Sequence, residues 1–410
     1  MEHKPVHLIM VTDRNNNKYY DMVPKGDYIE IKYGRVDSTC TTITKPIGEW
    51  DKIYKSKIKK GYVDKSDLVA TLVEEVTESN NEYKPIPNAI VAKIVKRLQD
   101  FAQQTIKEHY NIKESQVTQA MIDEAQTILI SLVKCKTITT FNETLLKLFT
   151  TIPRKMGQVQ NYLASTISDF SRIITREQDL LDVMKSQVVV CTLKEKKNNS
   201  NDDEYKNNCT ILEALGIEIE ETTAADVKII KKELNDIADK YVASWRIKNI
   251  ATEQRFNKFM QDNGITEYRY LWHGTRNENL WSILQKGLLL RPELAGVRTN
   301  GKMLGYAIYS SPTSRKSYGY TSNGYWTRGS GNKSVFMILN KVALGKIHDI
   351  YAFDQKYYNF TYERLQKEAP GCHSMWAHAG MNTGWGSLKN DEIVVYKEDQ
   401  VTCNYLVELR

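Results

Sequence analysis

The spacing of hydrophobic and polar positions changes character twice along the chain. Up to about residue 65 the period is two. Tyr28-Ile29-Glu30-Ile31-Lys32-Tyr33 alternates apolar with polar side chains, and Lys25-Gly26-Asp27 and Asp13 to Asn17 supply turn residues. This predicts a small sheet. Beyond Lys84-Pro85-Ile86-Pro87, a linker by composition, apolar residues recur at helical spacing: Ile90, Ile94, Val95, Leu98, Phe101 and Ala102, then Met121, Ala125, Ile128, Leu129 and Leu132. The middle third is predicted to be a helical bundle reaching about residue 245. Within it Glu195 to Asn208 is too polar to bury anything and is expected to be an exposed loop. From Tyr268 onward strands are predicted at Tyr268 to Trp272, Ser334 to Leu339 and Glu392 to Tyr396, with a helix from Asn279 to Lys286 stopped by Gly287. The expected architecture is therefore multidomain α+β: a small β-sheet domain over 1–84, an all-α bundle over 85–245 and an α+β domain over 246–410.

Composition narrows the class. At 410 residues the chain is long enough for two to three domains of roughly 150 residues, so no disulfide staples are needed to hold a core. The longest apolar run, Ile128 to Val133, is far short of the roughly 18 residues that span a bilayer, so no membrane partner is expected. The first residues, Met1-Glu2-His3-Lys4-Pro5, do not resemble a secretion leader, which makes an intracellular, soluble protein the expectation. Cysteines 40, 135, 191, 209, 372 and 403 include no Cys-x-x-Cys pair, which argues against a disulfide framework and a zinc ribbon, and no metal site is expected. The net charge of +7 is mild, yet five lysines fall between Asp51 and Lys60. That stripe suits either a solvated helix face or contact with phosphates.

Three clusters carry candidate chemistry. In the first, the strand ending at Trp272 runs into His273-Gly274-Thr275, where a glycine leaves its backbone N–H and C=O unshielded and able to grip a planar amide. The second joins Gly305-Tyr306-Ala307-Ile308-Tyr309 to Lys316-Ser317-Tyr318-Gly319-Tyr320; two tyrosine rings can sandwich a flat heterocycle while a serine bonds its polar edge. The third is a carboxylate opening an apolar strand, Asp391-Glu392-Ile393-Val394-Val395-Tyr396. Each alone has an ordinary structural explanation: a histidine satisfied at a strand end, a tyrosine-rich core strand, a solvated edge glutamate.

In this order the clusters resemble the catalytic domain of the poly(ADP-ribose) polymerase family. The resemblance extends upstream. Ile211 to Glu220 with Val227 to Leu234, and Leu180-Leu181-Asp182-Val183, look like parts of that family's helical regulatory domain. Asn17-Lys18-Tyr19-Tyr20 with Tyr33-Gly34-Arg35-Val36 looks like its WGR domain. What the resemblance implies is an ADP-ribosyltransferase fold at the C-terminal end, NAD⁺ as substrate, and transfer of ADP-ribose to acceptor proteins, the chain itself included. DNA ends or nicks are the implied activator. The implied catalytic residues are His273, Tyr309 and Glu392. Those implied to bind NAD⁺ are His273, Gly274, Thr275, Arg291, Tyr309, Lys316, Ser317 and Tyr320, and those implied to meet DNA are Lys18, Tyr33, Arg35, Lys55 and Lys57. The family often has arginine where Leu289 stands, with Arg291 two residues on; Ala307 replaces a glycine; Tyr33 stands in place of tryptophan; and the stretch from Gly371 to Glu392 is shorter than in the long members. An inactive DNA-end-binding scaffold, or another NAD⁺-consuming enzyme on the same fold, are the alternatives. The expected setting is nuclear in a eukaryote, and cytoplasmic or nucleoid-associated in a bacterium or virus.

Overall fold

The computed structural model describes residues 3–36, 38–66, 83–110, 117–199, 209–290, 303–327, 331–383 and 386–410, with the side chains of 187–199 excepted. Its contacts divide the chain into two units, Met1–Asn81 with Gln103–Asn198, and Glu82–Ala102 with Asn199–Arg410.

The first unit begins with the alternating segment. Strands β1 (Val6–Thr12), β2 (Asn16–Lys25), β3 (Tyr28–Arg35), β4 (Thr41–Pro46) and β5 (Val63–Asp64) form one antiparallel sheet in the order β4-β3-β2-β1-β5. Gly26, at φ +62°, makes the β2–β3 turn that Lys25-Gly26-Asp27 predicts. The inward face, Leu8, Tyr20, Met22, Ile29 and Ile31, packs on Trp50 of helix α1 (Trp50–Lys59), whose Lys52, Lys55 and Lys59 are exposed. Helix α2 (Ala89–His109) is shared by sequence between the units. Helices α3 (Gln119–Val133), α4 (Ile138–Thr151) and α5 (Asp169–Asn199) complete the first. Thr118 and Thr137 accept from the backbone N–H groups of Met121 and Thr140 and so start α3 and α4. Helix α5 continues to Asn199, so 195–199 is helical where a loop was expected. Glu and Lys are good helix formers and the polar run itself contains no breaker before that point. The remainder of that run, 200–208, lies outside the described residues.

The second unit holds α6 (Ile211–Leu215), β6 (Ile217–Glu221), α7 (Ala224–Leu234), β7 (Tyr241–Asn249), α8 (Ile250–Asp262), β8 (Arg269–Gly274), α9 (Leu280–Lys286), β9 (Ile308–Ser310), α10 (Ser314–Tyr318), β10 (Val335–Val342), β11 (Ile347–Ile350), α11 (Tyr362–Glu368), β12 (Ser374–Ala377), β13 (Glu392–Val395) and β14 (Val401–Leu409). One antiparallel sheet runs β6-β7-β14-β10-β8. A second, mixed sheet runs β11-β12-β13-β9. The two meet where Trp272 and Ser311 exchange backbone hydrogen bonds of 2.9 and 3.1 Å. The expected boundary at 245 falls inside β7. The segment 217–249, assigned from sequence to the bundle, contributes two strands to the C-terminal sheet, because Ile217 and Ile219, and Trp245 and Ile247, alternate as strand residues. The α2 residues 89–102 also belong to this unit: Arg97 bonds both oxygens of Glu408 at 2.8 and 3.1 Å, and Phe101 meets Phe336 edge-on. Among the described residues no helix is long and apolar enough to cross a membrane.

Candidate active site

The site is built at the junction of the two sheets of the second unit. Strand β8 ends in His273-Gly274, and α10 comes so close that a Cβ on Gly274 would stand 1.7 Å from the Ser317 carbonyl oxygen. Only glycine fits there. The Ser317 hydroxyl is buried and donates to the Trp272 carbonyl at 3.1 Å. His273 directs Nδ1 at the Tyr309 carbonyl, 3.1 Å away. A carbonyl only accepts, so Nδ1 carries the proton and Nε2 of the neutral ring is an acceptor. Burial lowers the His273 pKa below its ordinary value, more than the bond to Tyr309 raises it, which favours that neutral form.

Strand β9 brings Tyr309 beside Val394 of β13, two residues from Glu392 at the start of that strand. The Tyr309 hydroxyl is already engaged, donating to the Gly305 carbonyl and accepting from Leu304 N–H, both at 2.9 Å. Burial pushes its pKa well up, with the Tyr396 and Glu392 charges adding to the shift. Glu392 is 5% exposed, and its Oε1 lies 3.0 Å from Nζ of Lys316, on α10 next to Ser317. A carboxylate removed from water needs such a counter-charge. Tyr320 follows α10. Burial first, then the Glu392 charge, pushes its phenol up to about 12, which records the nearness of that carboxylate.

His273, Gly274, Tyr309, Lys316, Ser317, Tyr320 and Glu392 are thus brought together. Thr275 is turned to its own helix start, accepting from the Asn279 amide at 3.1 Å. Arg291 lies outside the described residues. Two aromatic neighbours were not singled out from sequence: Trp326, stacked on Tyr320 at 6.3 Å and 24°, and Trp376, whose Nε1–H donates to Asp391 at 2.9 Å. The Gly-Tyr-Trp run at 324–326 was the available signal for the first; the second has no local signal, since its partner is on another strand. Among the described residues no group of three or more His, Cys, Asp or Glu could hold a metal ion.

The residues expected at DNA divide in two. Lys18 and Lys55 are exposed. Arg35 is occupied inside the first unit: its guanidinium donates to the carbonyls of Asn15, Met156 and Gly157 and to the Asn15 side chain at 2.7 to 3.1 Å. Lys57 stands over the Tyr20 ring at 3.6 Å, with Tyr62 and Tyr33 at 5.4 and 5.8 Å, so Tyr33 and Lys57 face one another. Burial lowers the Lys57 pKa, and Lys60 and Lys18 add to that.

Residues 224–410 match the family model of the poly(ADP-ribose) polymerase catalytic domain. An uncharacterized protein of Invertebrate iridescent virus 6 is 36% identical over 204 residues, covering 49% of this chain and 81% of that protein. By the match to the family model, residues 224–410 carry a poly(ADP-ribose) polymerase catalytic domain. A putative polymerase-like protein of the same virus is 27% identical over 193 residues, 47% of this chain and 97% of that one. Poly(ADP-ribose) polymerase 1 of Gallus gallus is 24% identical across 96% of this chain, which spans 38% of the chicken protein's length. The matched catalytic domain begins at 224, ahead of the boundary expected at 246, and NAD⁺ is the substrate of such domains.

Proposed function

We propose that the protein is an NAD⁺-dependent protein ADP-ribosyltransferase whose reaction is carried by the Gly274–Ser317 cradle and the Lys316–Glu392 pair. The observation that supports the reading is the buried 3.0 Å pairing of Glu392 with Lys316, a residue of the same helix whose Ser317 backbone packs against Gly274. In this reading the Gly274 backbone grips the carboxamide of nicotinamide and Tyr320 stacks on the ring. Nε2 of His273 accepts from a hydroxyl of the adenine ribose.

Glu392 accepts from the ribose hydroxyl next to the reacting carbon. When the bond from that carbon to the nicotinamide nitrogen breaks, its electron pair leaves with the ring and neutralises the pyridinium, while the ribose develops positive charge. A carboxylate fixed in a buried site stabilises that charge without reorganising. An acceptor nucleophile then bonds to that ribose carbon, and its proton passes to the Glu392 carboxylate and from there to water.

The finer reading follows the family resemblance. Residues 1–84 serve as a WGR-like sensor of DNA ends, through Lys18, Lys55 and the neighbouring lysines. The helical segment restrains NAD⁺ access until DNA relieves it, and acceptor proteins include the chain itself. The experiment is incubation of the purified protein with labelled NAD⁺, with and without nicked DNA. Label transferred to protein, with free nicotinamide and a rise on adding DNA, is the expected result. Nicotinamide release with no labelled protein assigns a glycohydrolase instead. DNA binding without any NAD⁺ turnover assigns a scaffold.

A further inference from the structure

We infer that Asp391 is a positioning residue for Glu392, locked in place by Trp376. The inference rests on the reading of Glu392 as the catalytic carboxylate. Asp391 is held at four points. Its Oδ2 accepts from Trp376 Nε1–H at 2.9 Å and its Oδ1 from the Ala379 backbone N–H at 2.8 Å. Its carbonyl accepts from the Ser311 hydroxyl at 3.0 Å and faces Lys316 Nζ at 3.3 Å. Its two side-chain oxygens therefore serve one donor within β12 and one just beyond it, and its carbonyl is tied to Ser311 at the end of β9 and to Lys316 of α10, the Glu392 counter-charge. The Asp391 carbonyl and the Glu392 N–H belong to one planar peptide, so holding that carbonyl fixes the point from which the Glu392 backbone departs.

Trp376 is itself fixed. The Arg269 guanidinium lies over its ring at 5.0 Å, and the His378 ring stacks on it at 5.4 Å and 7°. His378 in turn stacks on Tyr351 at 4.4 Å and 5° and bonds Asp349 at 2.7 Å. A ladder of planar groups thus runs from the exposed Tyr351 ring to the carboxylate beside Glu392. Misplacing a reacting group by about 1 Å can cost about 100-fold in rate, so such a clamp acts on turnover before it acts on substrate binding.

The test compares Glu392→Gln, Asp391→Asn and Trp376→Phe in the full chain, with kcat and KM for NAD⁺ and the stoichiometry of binding of a non-hydrolysable NAD⁺ analogue. Asp391→Asn keeps the shape but turns an N–H toward one of two N–H donors. Trp376→Phe keeps the stacked ring and the Asp391 charge but removes the indole donor. Both are expected to lower kcat about tenfold or more, with KM within about twofold and full binding stoichiometry, and the double variant is expected to be no worse than Asp391→Asn alone. Wild-type kcat in Asp391→Asn overturns the inference. So does a loss confined to Asp391→Asn with Trp376→Phe at the wild-type rate, because the effect then belongs to charge and not to the clamp. Turnover by Glu392→Gln at the wild-type rate instead overturns the catalytic reading, and the inference with it.

Discussion

Gly274 and Ser317 touch backbone to backbone, at a separation that leaves no room for any side chain on residue 274. Gly274→Ala puts a methyl group 1.7 Å from a carbonyl oxygen and 2.6 Å from its carbon, atoms that no side-chain rotation can move. The expected outcome is a stability loss of about 1–3 kcal/mol, the usual range for overpacking, together with loss of binding of nicotinamide-like inhibitors. Ser317→Ala is the contrast. Its hydroxyl bond to Trp272 is lost, but the Trp272 carbonyl keeps the Ser311 N–H, so the cost is about 1 kcal/mol and the cradle survives. Thermal unfolding and inhibitor calorimetry on the two variants check both statements.

Local patterns told which parts of this arrangement would exist, and long-range pairing decided where they went. His273-Gly274 at a strand end, the helix stopped by Gly287 at φ +82° and the apolar strand opened by Glu392 follow from residues adjacent in sequence. The partners of Arg35 at Met156 and Gly157 are more than a hundred residues away, and no period or propensity announces them. The segment 217–249 was misassigned for a related reason. Its helix α7 has a clear helical period, whereas the alternation in β6 and β7 spans only a few apolar positions and does not say which sheet they join; pairing of β6 with β7 and of β7 with β14 decides that. Trp376 and Asp391 meet across β12 and β13 in the same way.

Arg35 gives a prediction that separates fold from DNA contact. Its planar fork serves three backbone carbonyls and one amide oxygen, which a lysine cannot match. Arg35→Lys is therefore expected to destabilise the protein by about 1–3 kcal/mol with no DNA present. Reversing the exposed Lys18 and Lys55 is expected to leave the melting curve within about 0.5 kcal/mol of wild type. The same reversals should weaken DNA binding and flatten its dependence on salt, because each lost phosphate contact releases fewer counterions. An Arg35→Lys protein with unchanged stability would return that side chain to the list of free cations.

The buried His273 makes stability depend on pH in a defined sense. Its folded pKa lies below the ordinary 6.5, so as pH falls below 6.5 the unfolded chain takes up a proton that the folded chain does not. Unfolding then binds protons, and stability drops as pH falls until the folded pKa is passed. His109 and His373 are shifted down by burial as well and act in the same direction, so the comparison needs a variant. His273→Gln keeps a donor for the Tyr309 carbonyl and cannot titrate. Between pH 7 and pH 5 the variant should lose less stability than wild type in denaturant titrations; equal losses would mean that His273 is protonated as readily folded as unfolded.

The remaining prediction concerns where the catalytic domain starts. A fragment of residues 246–410 removes Ile230, Leu234 and Ile237 from the cluster around Trp272, Met337, Leu339 and Val407, and deletes the Glu233 carbonyl that accepts from Trp272 Nε1 at 2.9 Å. It also cuts β7 between Trp245 and Arg246 and takes away Asp226, which accepts from Tyr405 at 2.6 Å. Three buried aliphatic side chains alone contribute roughly 5–9 kcal/mol, comparable to the 5–15 kcal/mol that holds a whole domain together. That fragment is expected to show no cooperative melting transition. A fragment of 209–410 keeps α6, β6, α7 and all of β7, and is expected to melt cooperatively, though below the full chain because Arg97 and Phe101 of α2 are missing. Any test of restraint by the helical segment must therefore use 209–410: a higher DNA-free rate than the full chain supports restraint, and an equal rate in a folded fragment removes it. Cooperative melting of 246–410 would show that α7 and β6 are dispensable to the catalytic core.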